Sequence, residues 1–231
     1  MIGALAVIVP VHDEEELLGE CLAALEVASA EARMRHPAVR TQTWVVLDAC
    51  SDASARIAED AGVHVRHLDA RSVGAARGAG VAASLAGLAG LDPAEIWTAH
   101  TDGDSVVPPN WLCHQLALAA SGADVFVGTV RPDFRDLDVH RIEAWWRRYT
   151  PGRANGHVHG ASLGLRASVL LRAGGFAPLE EHEDVEVVAA ARRLGARVVA
   201  SDDAPVRTSG RQVGRTPGGY ARYLREDLAG S

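Results

Sequence analysis

The sequence predicts an α/β fold: a single three-layer αβα domain built on a mostly parallel central sheet. Three observations predict it. Short apolar runs alternate with helical stretches four times before residue 101, and such alternation gives a parallel sheet with helices on both faces. The polar segments 10–14, 48–52 and 101–104 each follow a predicted strand, and sheets of this kind bind ligands beyond the carboxyl ends of their strands. Finally, 231 residues suit one domain. Its first half runs to about residue 105 and its second half covers 106–231.

Each element follows from its own pattern. Residues 5–9 form an apolar run ended by Pro10 and read as a buried strand. Residues 14–35 predict a helix, with Leu17, Leu18, Cys21, Leu22, Leu25 and Ala28 at helical spacing. Its acidic first turn and basic last turn suit the helix dipole. Residues 43–47 predict the second strand, and Ser51 or Asp52 can cap a helix ending at Ala61. A third strand covers 63–67, an Ala- and Gly-rich helix 71–88, and a fourth strand 96–100. In the second half, 109–121 predict a helix, 124–130 a strand and 137–149 an amphipathic helix. A glycine- and histidine-rich stretch, 152–164, precedes a short helix at 165–173. A further helix spans 180–194, stopped by Gly195, and a last strand spans 197–200. Residues 207–225 carry five arginines and no acid.

Composition excludes several functions. The net charge of −7 argues against a nucleic-acid partner, which needs clustered cations. All basic residues are arginine; without lysine there is no Schiff-base chemistry and no lysine-bearing P-loop. Cys21, Cys50 and Cys113 are odd in number and show no Cys-x-x-Cys spacing, which fits reduced thiols in a cytoplasmic protein. No apolar run reaches the length of a membrane span, so contact with a membrane would be peripheral.

Asp102-Gly103-Asp104 is the strongest chemical signal. Two carboxylates two residues apart after a strand can reach one hard cation that bridges a diphosphate, whereas elsewhere Asp-Gly is an ordinary turn. A second such pair, Asp136-Leu-Asp138, reads as a helix start. Asp48 at a strand end can accept from a nucleobase N–H or simply close a strand-to-helix turn. Arg71 and Arg77 can reach a phosphate or the Asp102 and Asp104 carboxylates. Glu183 and Asp184 are either dipole-favoured acids of a helix start or a general base for an acceptor hydroxyl. His157 and His159 form a metal pair if they share a strand face, and otherwise line a loop. Trp145 and Trp146 offer sugar stacking, lipid contact or core packing.

These residues together resemble the family 2 glycosyltransferases of the Rossmann-like GT-A fold. Val7-Ile-Val-Pro10-Val-His12-Asp13-Glu14-Glu15 is similar to that family's P-x-Y-N-E opening, and Val45-Val-Leu-Asp48-Ala-Cys-Ser-Asp52 to its V-D-D-G-S-x-D block. Arg71-Ser-Val-Gly74-Ala-Ala-Arg77-Gly78-Ala-Gly80 resembles its G-x-x-x-A-R-N-x-G segment, and Thr101-Asp102-Gly103-Asp104 its metal motif. Gly160 to Arg166 with Gly174-Gly175-Phe176, and Glu183-Asp184-Val-Glu186, resemble its acceptor-side blocks. The resemblance implies an inverting, metal-dependent transfer of one sugar from a nucleotide-diphosphate donor, UDP-linked first and GDP-linked next, to an acceptor hydroxyl. It implies Pro10, His12, Glu14 and Asp48 around the base and ribose, and Arg77 near the diphosphate. It implies Asp102 at the ribose or sugar, Asp104 on Mn²⁺ or Mg²⁺, and Asp184 as base beside Glu183. The arm bearing Thr208-Ser209-Gly210-Arg211 is expected to fold over the diphosphate. No histidine follows His182 to serve as a further metal ligand. The competing readings are a non-catalytic nucleotide-sugar-binding protein and a nucleotidyltransferase of related fold.

Overall fold

A computed structural model describes residues 1–214 and 219–228. Its strands are β1 (Ala4–Val11), β2 (Arg40–Asp48), β3 (His64–Leu68), β4 (Ile96–His100), β5 (Ser105–Val106), β6 (Val125–Pro132), β7 (Leu163–Arg166) and β8 (Val198–Thr208). Its helices are α1 (Leu18–Arg35), α2 (Ser54–Asp60), α3 (Val73–Gly87), α4 (Trp111–Ala120), α5 (Val139–Arg148), α6 (Ala167–Arg172), α7 (Glu183–Arg193) and α8 (Tyr220–Arg222), the last continued by a π turn over Tyr223–Asp227. All strands join one sheet in the order β3-β2-β1-β4-β7-β6-β8-β5. Only β7 and β5 pair antiparallel to their neighbours, so the sheet is mostly parallel, as expected.

Strand β1 shows why a continuous apolar run suits a central position. Leu5, Val7, Val9 and Val11 join one core cluster with α1 and α4, while Ala4, Ala6 and Ile8 join a second with α6 and α7. Both faces are therefore dry, and alternation is not needed. The strand runs through Pro10, which was expected to end it. The Ile8 carbonyl faces β4 and accepts from Thr101 N–H. Pro10, two residues on, faces the same way beyond the last β1–β4 pair, Ile8 with His100, so its missing N–H costs no ladder bond.

Helix α3 lies close on the sheet because it is small. A Cβ on Gly80 would sit 2.6 Å from Ile8 Cγ2, and one on Gly74 would sit 1.9 Å from the Ala177 carbonyl oxygen. Gly78 has nothing nearer than 3.8 Å. Gly74→Ala should therefore destabilise by about 1–3 kcal/mol through overpacking against backbone that has no room to yield. Gly78→Ala should be neutral or stabilise by up to about 1 kcal/mol through helix propensity. Urea denaturation of the two variants measures the contrast; equal stabilities would mean that α3 is not held this tightly.

Three expectations are corrected. Helix α1 starts at Leu18, not residue 14. The acids before it hold the neighbouring loop: Asp13 accepts from Ser51 N–H, and Glu15 from Ala53 N–H. The predicted helix at 165–173 is a strand followed by a helix. Arg166 draws that strand in, donating to the carbonyls of Ala94, Ala119 and Ala123. A Cβ on Gly164 would meet Gln115 Oε1 at 2.2 Å. The last strand, expected at 197–200, reaches Thr208. A bulge lets it do so: Gly128 pairs with Ser201 and Val130 with Val206. Asp202 within the bulge accepts from Tyr149 Oη at 2.6 Å and Gly152 N–H at 2.7 Å.

A third, smaller core lies apart from the sheet. Leu137, Ala144 and Trp145 pack there with Leu224 and Leu228, so the C-terminal helix docks on α5. Part of the arginine-rich arm, including Arg215, lies outside the described residues. No helix among them is long and apolar enough to cross a membrane.

Candidate active site

The carboxyl ends of β1, β2, β4, β6 and β8 share one edge of the sheet, as does the turn before the reversed β7. They surround a cleft of about 1440 Å³. Pro10, His12, Glu14, Asp48, Arg77, Asp102, Asp104, Glu183, Asp184 and Arg211 all line it. The site residues expected from sequence thus converge, though their partners were not all foreseen.

At one end Asp48 is 3% exposed and accepts three backbone amides: Ala70 (2.6 Å) and Arg71 (2.9 Å) on Oδ1, and Ser72 (2.8 Å) on Oδ2. It fixes the loop between β3 and α3 rather than closing the turn that follows its own strand. His12 Nδ1 lies 2.6 Å from the Asp48 carbonyl. A carbonyl only accepts, so Nδ1 carries the proton and Nε2 of the neutral ring is an acceptor. Asp13, Ala49 and Arg71 have φ of 50°, 55° and 51°. Left-handed backbone at three non-glycine residues, one in each of the loops after β1, β2 and β3, is strain of the kind found at binding sites. The Ser51 amide holds the Asp13 carboxyl below its ordinary range. Asp13, Cys50 and Asp52 also place three ligand atoms within 4.8 Å of one another, a cluster not foreseen. Asp13 and Asp52 already accept loop amides.

The floor is an ion-pair triad in which Arg77 and Glu183 are buried and Asp102 is partly open to the cleft. Arg77 is 1% exposed; its Nε donates to Glu183 Oε1 at 2.9 Å and its Nη2 to Asp102 Oδ1 at 2.5 Å. Gly160 makes room for it, since a Cβ there would fall 2.3 Å from Nη2. Nη1 has no hydrogen-bond partner among the described residues. The sequence offers Arg77 to a phosphate or to the Asp102 and Asp104 carboxylates; here it holds Asp102 and, in addition, Glu183. Glu183, expected beside Asp184 as catalytic, is held by Arg77 and is 4% exposed. Burial pushes the Asp102 carboxyl up, against the pull of Arg77. Burial and Arg77 together push His100, directly behind, well below its ordinary value, so it stays neutral.

Asp104 sits where β5 meets β8. Ser105 Oγ and Thr208 Oγ1 each lie 3.2 Å from its Oδ1. Its Oδ2 is 2.9 Å from Arg211 Nη2, and Arg211 also grips both Glu14 oxygens at 2.9 and 3.1 Å. Burial and the neighbouring Asp102 push the Asp104 carboxyl up to about 6, with Arg211 opposing.

Across the cleft, Asp184 follows the anchored Glu183 at the start of α7 and is partly exposed. Trp145, Tyr149, His159 and Tyr220 wall this end. Burial pushes His159 down to about 4, and its ring meets Tyr220 edge-on at 5.7 Å. His157 and His159 precede β7 rather than lie on a strand, so they are no metal pair on a shared strand face. The second aspartate pair is structural, as read: Asp138 caps α5 and Asp136 accepts from Gly210 N–H. Tyr149 and Tyr220 were missed, because only the docking of α8 on α5 brings them together.

This arrangement invites comparison with known proteins. TarS of S. aureus superposes with a TM-score of 0.63 at 12% identity, over 98% of this chain and 70% of that one. Mannosyltransferase PcManGT from Pyrobaculum calidifontis, solved with GDP-Man and Mn²⁺, gives 0.64 at 20% identity over 96% of this chain; this chain spans 60% of its length. Glucosyl-3-phosphoglycerate synthase from Mycobacterium tuberculosis, solved with Mn²⁺, UDP-glucose and glycerol 3-phosphate, gives 0.54 at 17% identity, over 84% of this chain and 69% of that one. At these identities the likeness establishes the fold. No curated protein sequence matches. The family model of glycosyl transferase family 2 matches residues 6–165, more than half of the chain and the span that holds Pro10, Asp48, Arg77, Asp102 and Asp104. The chain therefore belongs to glycosyl transferase family 2 and is a glycosyltransferase.

Proposed function

We propose that this enzyme transfers one sugar, with inversion, from a nucleotide-diphosphate donor to an acceptor hydroxyl. The observation that carries the reading is the placement of Asp102, Asp104 and Asp184 around one cleft at the carboxyl edge of the sheet. Residues up to about 105 form the donor half and 106–231 the acceptor half of one domain. Pro10, His12 and Glu14 flank the base and ribose, with His12 Nε2 as acceptor for a base N–H. Asp48 holds the loop that forms that wall.

A divalent ion fits the residues present. Asp102 and Asp104 offer hard oxygen donors, which suit Mn²⁺ or Mg²⁺. A guanidinium already sits on the Asp104 oxygen as a cation stand-in. When bound, the ion would offset charge developing on the leaving diphosphate. Asp184 takes the proton from the attacking hydroxyl. Glu183, tied to Arg77, sets the first turn of α7 so that Asp184 faces the cleft. Trp145, Tyr149 and Tyr220 supply flat apolar walls for a sugar.

UDP stands first as the donor nucleotide and GDP next; the similar structures include complexes with UDP-glucose and with GDP-Man. Calorimetric titration of each nucleotide, with and without Mn²⁺, tests the site. One nucleotide should bind in a metal-dependent manner, at least about tenfold weaker in Asp104→Asn, the worth of roughly one charge-assisted contact. A folded wild type that binds neither would overturn the donor-site assignment.

A further inference from the structure

Arg211 is the least expected member of the site. It follows β8, and the pairing of Thr208 with Ser105 brings the end of that strand beside Asp104. Its guanidinium forks onto both oxygens of Glu14, whose side chain is 8% exposed, and reaches Asp104, whose side chain is 12% exposed. The backbone just before it is pinned. Gly210 N–H donates to Asp136 Oδ2 at 2.8 Å, and a Cβ on Gly210 would lie 2.5 Å from the Asp133 carbonyl oxygen. Exchange of partners at this point therefore falls to the Arg211 side chain.

The Asp104 Oδ2 that Arg211 holds is the oxygen a divalent ion needs. A guanidinium and a divalent ion on one carboxylate oxygen repel each other at short range in a poorly solvated pocket. A nucleoside diphosphate changes that balance. It brings anionic oxygens that would hold the ion, and two of its phosphate oxygens can receive a guanidinium as a two-pronged acceptor.

Building on the metal-dependent donor site proposed above, we infer that Arg211 is an internal counter-cation that makes metal and nucleotide binding interdependent. A divalent ion takes Asp104 when Arg211 leaves it, and Arg211 leaves when a nucleoside diphosphate receives it. The ion alone binds weakly, because it must displace the arginine and strand it beside a second cation. The ion with a nucleoside diphosphate binds well. Coupling of this kind is reciprocal, so the metal strengthens the nucleotide by the factor by which the nucleotide strengthens the metal.

The test is Mn²⁺ binding, followed by electron paramagnetic resonance of the free ion, to wild type and to Arg211→Met. Each is titrated alone and with saturating UDP, then GDP. Arg207→Met serves as control: it removes the same charge four residues earlier, at the end of β8, where Arg207 pairs with Asp133 and Glu20 away from Asp104. Arg211→Met should bind Mn²⁺ alone at least about tenfold more tightly than wild type, and its enhancement by nucleotide should shrink by a similar factor. Arg207→Met should match wild type in both. Arg211→Lys, which keeps the charge but not the fork, should hold Mn²⁺ alone near the wild-type affinity and tests the idea if the methionine variant does not fold.

An Arg211→Met variant that binds Mn²⁺ alone no better than wild type overturns the inference, while nucleotide-dependent Mn²⁺ binding by wild type would leave the donor-site reading intact. Equal tightening in the Arg207 control also overturns it, since general charge would then explain the effect. Failure of wild type to bind Mn²⁺ with either nucleotide overturns both readings together.

Discussion

Asp184→Asn is expected to lower turnover by roughly 10²–10⁴-fold, the range for a lost general base, while leaving nucleotide affinity within about twofold. Its neighbours give the reason. Glu183 and Asp184 are adjacent acids at the start of α7, but the ion pair with Arg77 takes one and leaves the other partly exposed to the cleft. The amide isostere keeps the shape and the turn but cannot accept a proton. The variant should therefore fold, bind the donor nucleotide and fail in transfer. Release of nucleoside diphosphate in the presence of an accepted sugar measures the rate, and calorimetry measures the affinity. A variant with near-normal turnover would remove Asp184 from the chemistry. A variant that loses nucleotide binding to the same degree would make Asp184 a donor-site residue.

Arg77→Met should be the most destabilising single substitution at the site, by about 3 kcal/mol, the lower end of the range for a broken buried pair, because it strands the buried Glu183 without its cation while Asp102 keeps access to solvent. The guanidinium is 1% exposed and bonds to both Asp102 and Glu183. Lysine would not rescue it fully, since one ammonium on a flexible stem does not reproduce the two-sided grip of a planar fork. The sign of the pH dependence is a second check. Burial already raises the folded-state pKa of Asp102 against the pull of Arg77, and with Arg77 gone that opposition is lost. The folded form then binds more protons, so the variant should regain stability on acidification and lose it as pH rises through the raised value. Combining Arg77→Met with Asp102→Asn and Glu183→Gln should restore much of the loss. Urea denaturation between pH 5 and pH 8 reads both effects. A flat profile with a small loss would mean that water reaches the triad.

Much of the first half of the chain was legible in the sequence because its signals are local. A strand such as β4 declares itself by four apolar or β-prone residues, Ile96 to Ala99, and then by the aspartates beyond its end; its predicted bounds match the structure. Asp104 could be singled out for the same reason. What stayed hidden depends on partners far apart in the chain. Arg211 meets Glu14 across 197 positions and Arg77 meets Glu183 across 106, so neither pairing leaves a periodic trace. Strand β7 is four residues long and is defined by its neighbours on both sides, with Gly164 serving Trp97 and Gln115 rather than its own strand. The length of β8 was missed because its bulge breaks the alternation on which strand reading depends.

The strand order carries one more consequence. Strands β4 and β5 are consecutive in sequence yet stand four places apart in the sheet. Laid flat, those four spacings would be roughly 19 Å, whereas the five steps from His100 to Ser105 span at most about 17 Å fully stretched. The intervening residues are not stretched, for Ser105 N–H turns back onto the Asp102 carbonyl. The sheet must therefore curl until its far edge returns toward its middle, and Thr101–Asp104 is the buckle that fastens the two. The bulge between Gly128 and Val130 supplies part of the bend. The spacing of the two aspartates is in this sense a property of curvature. A change that flattened the sheet would pull the buckle open without touching either carboxylate.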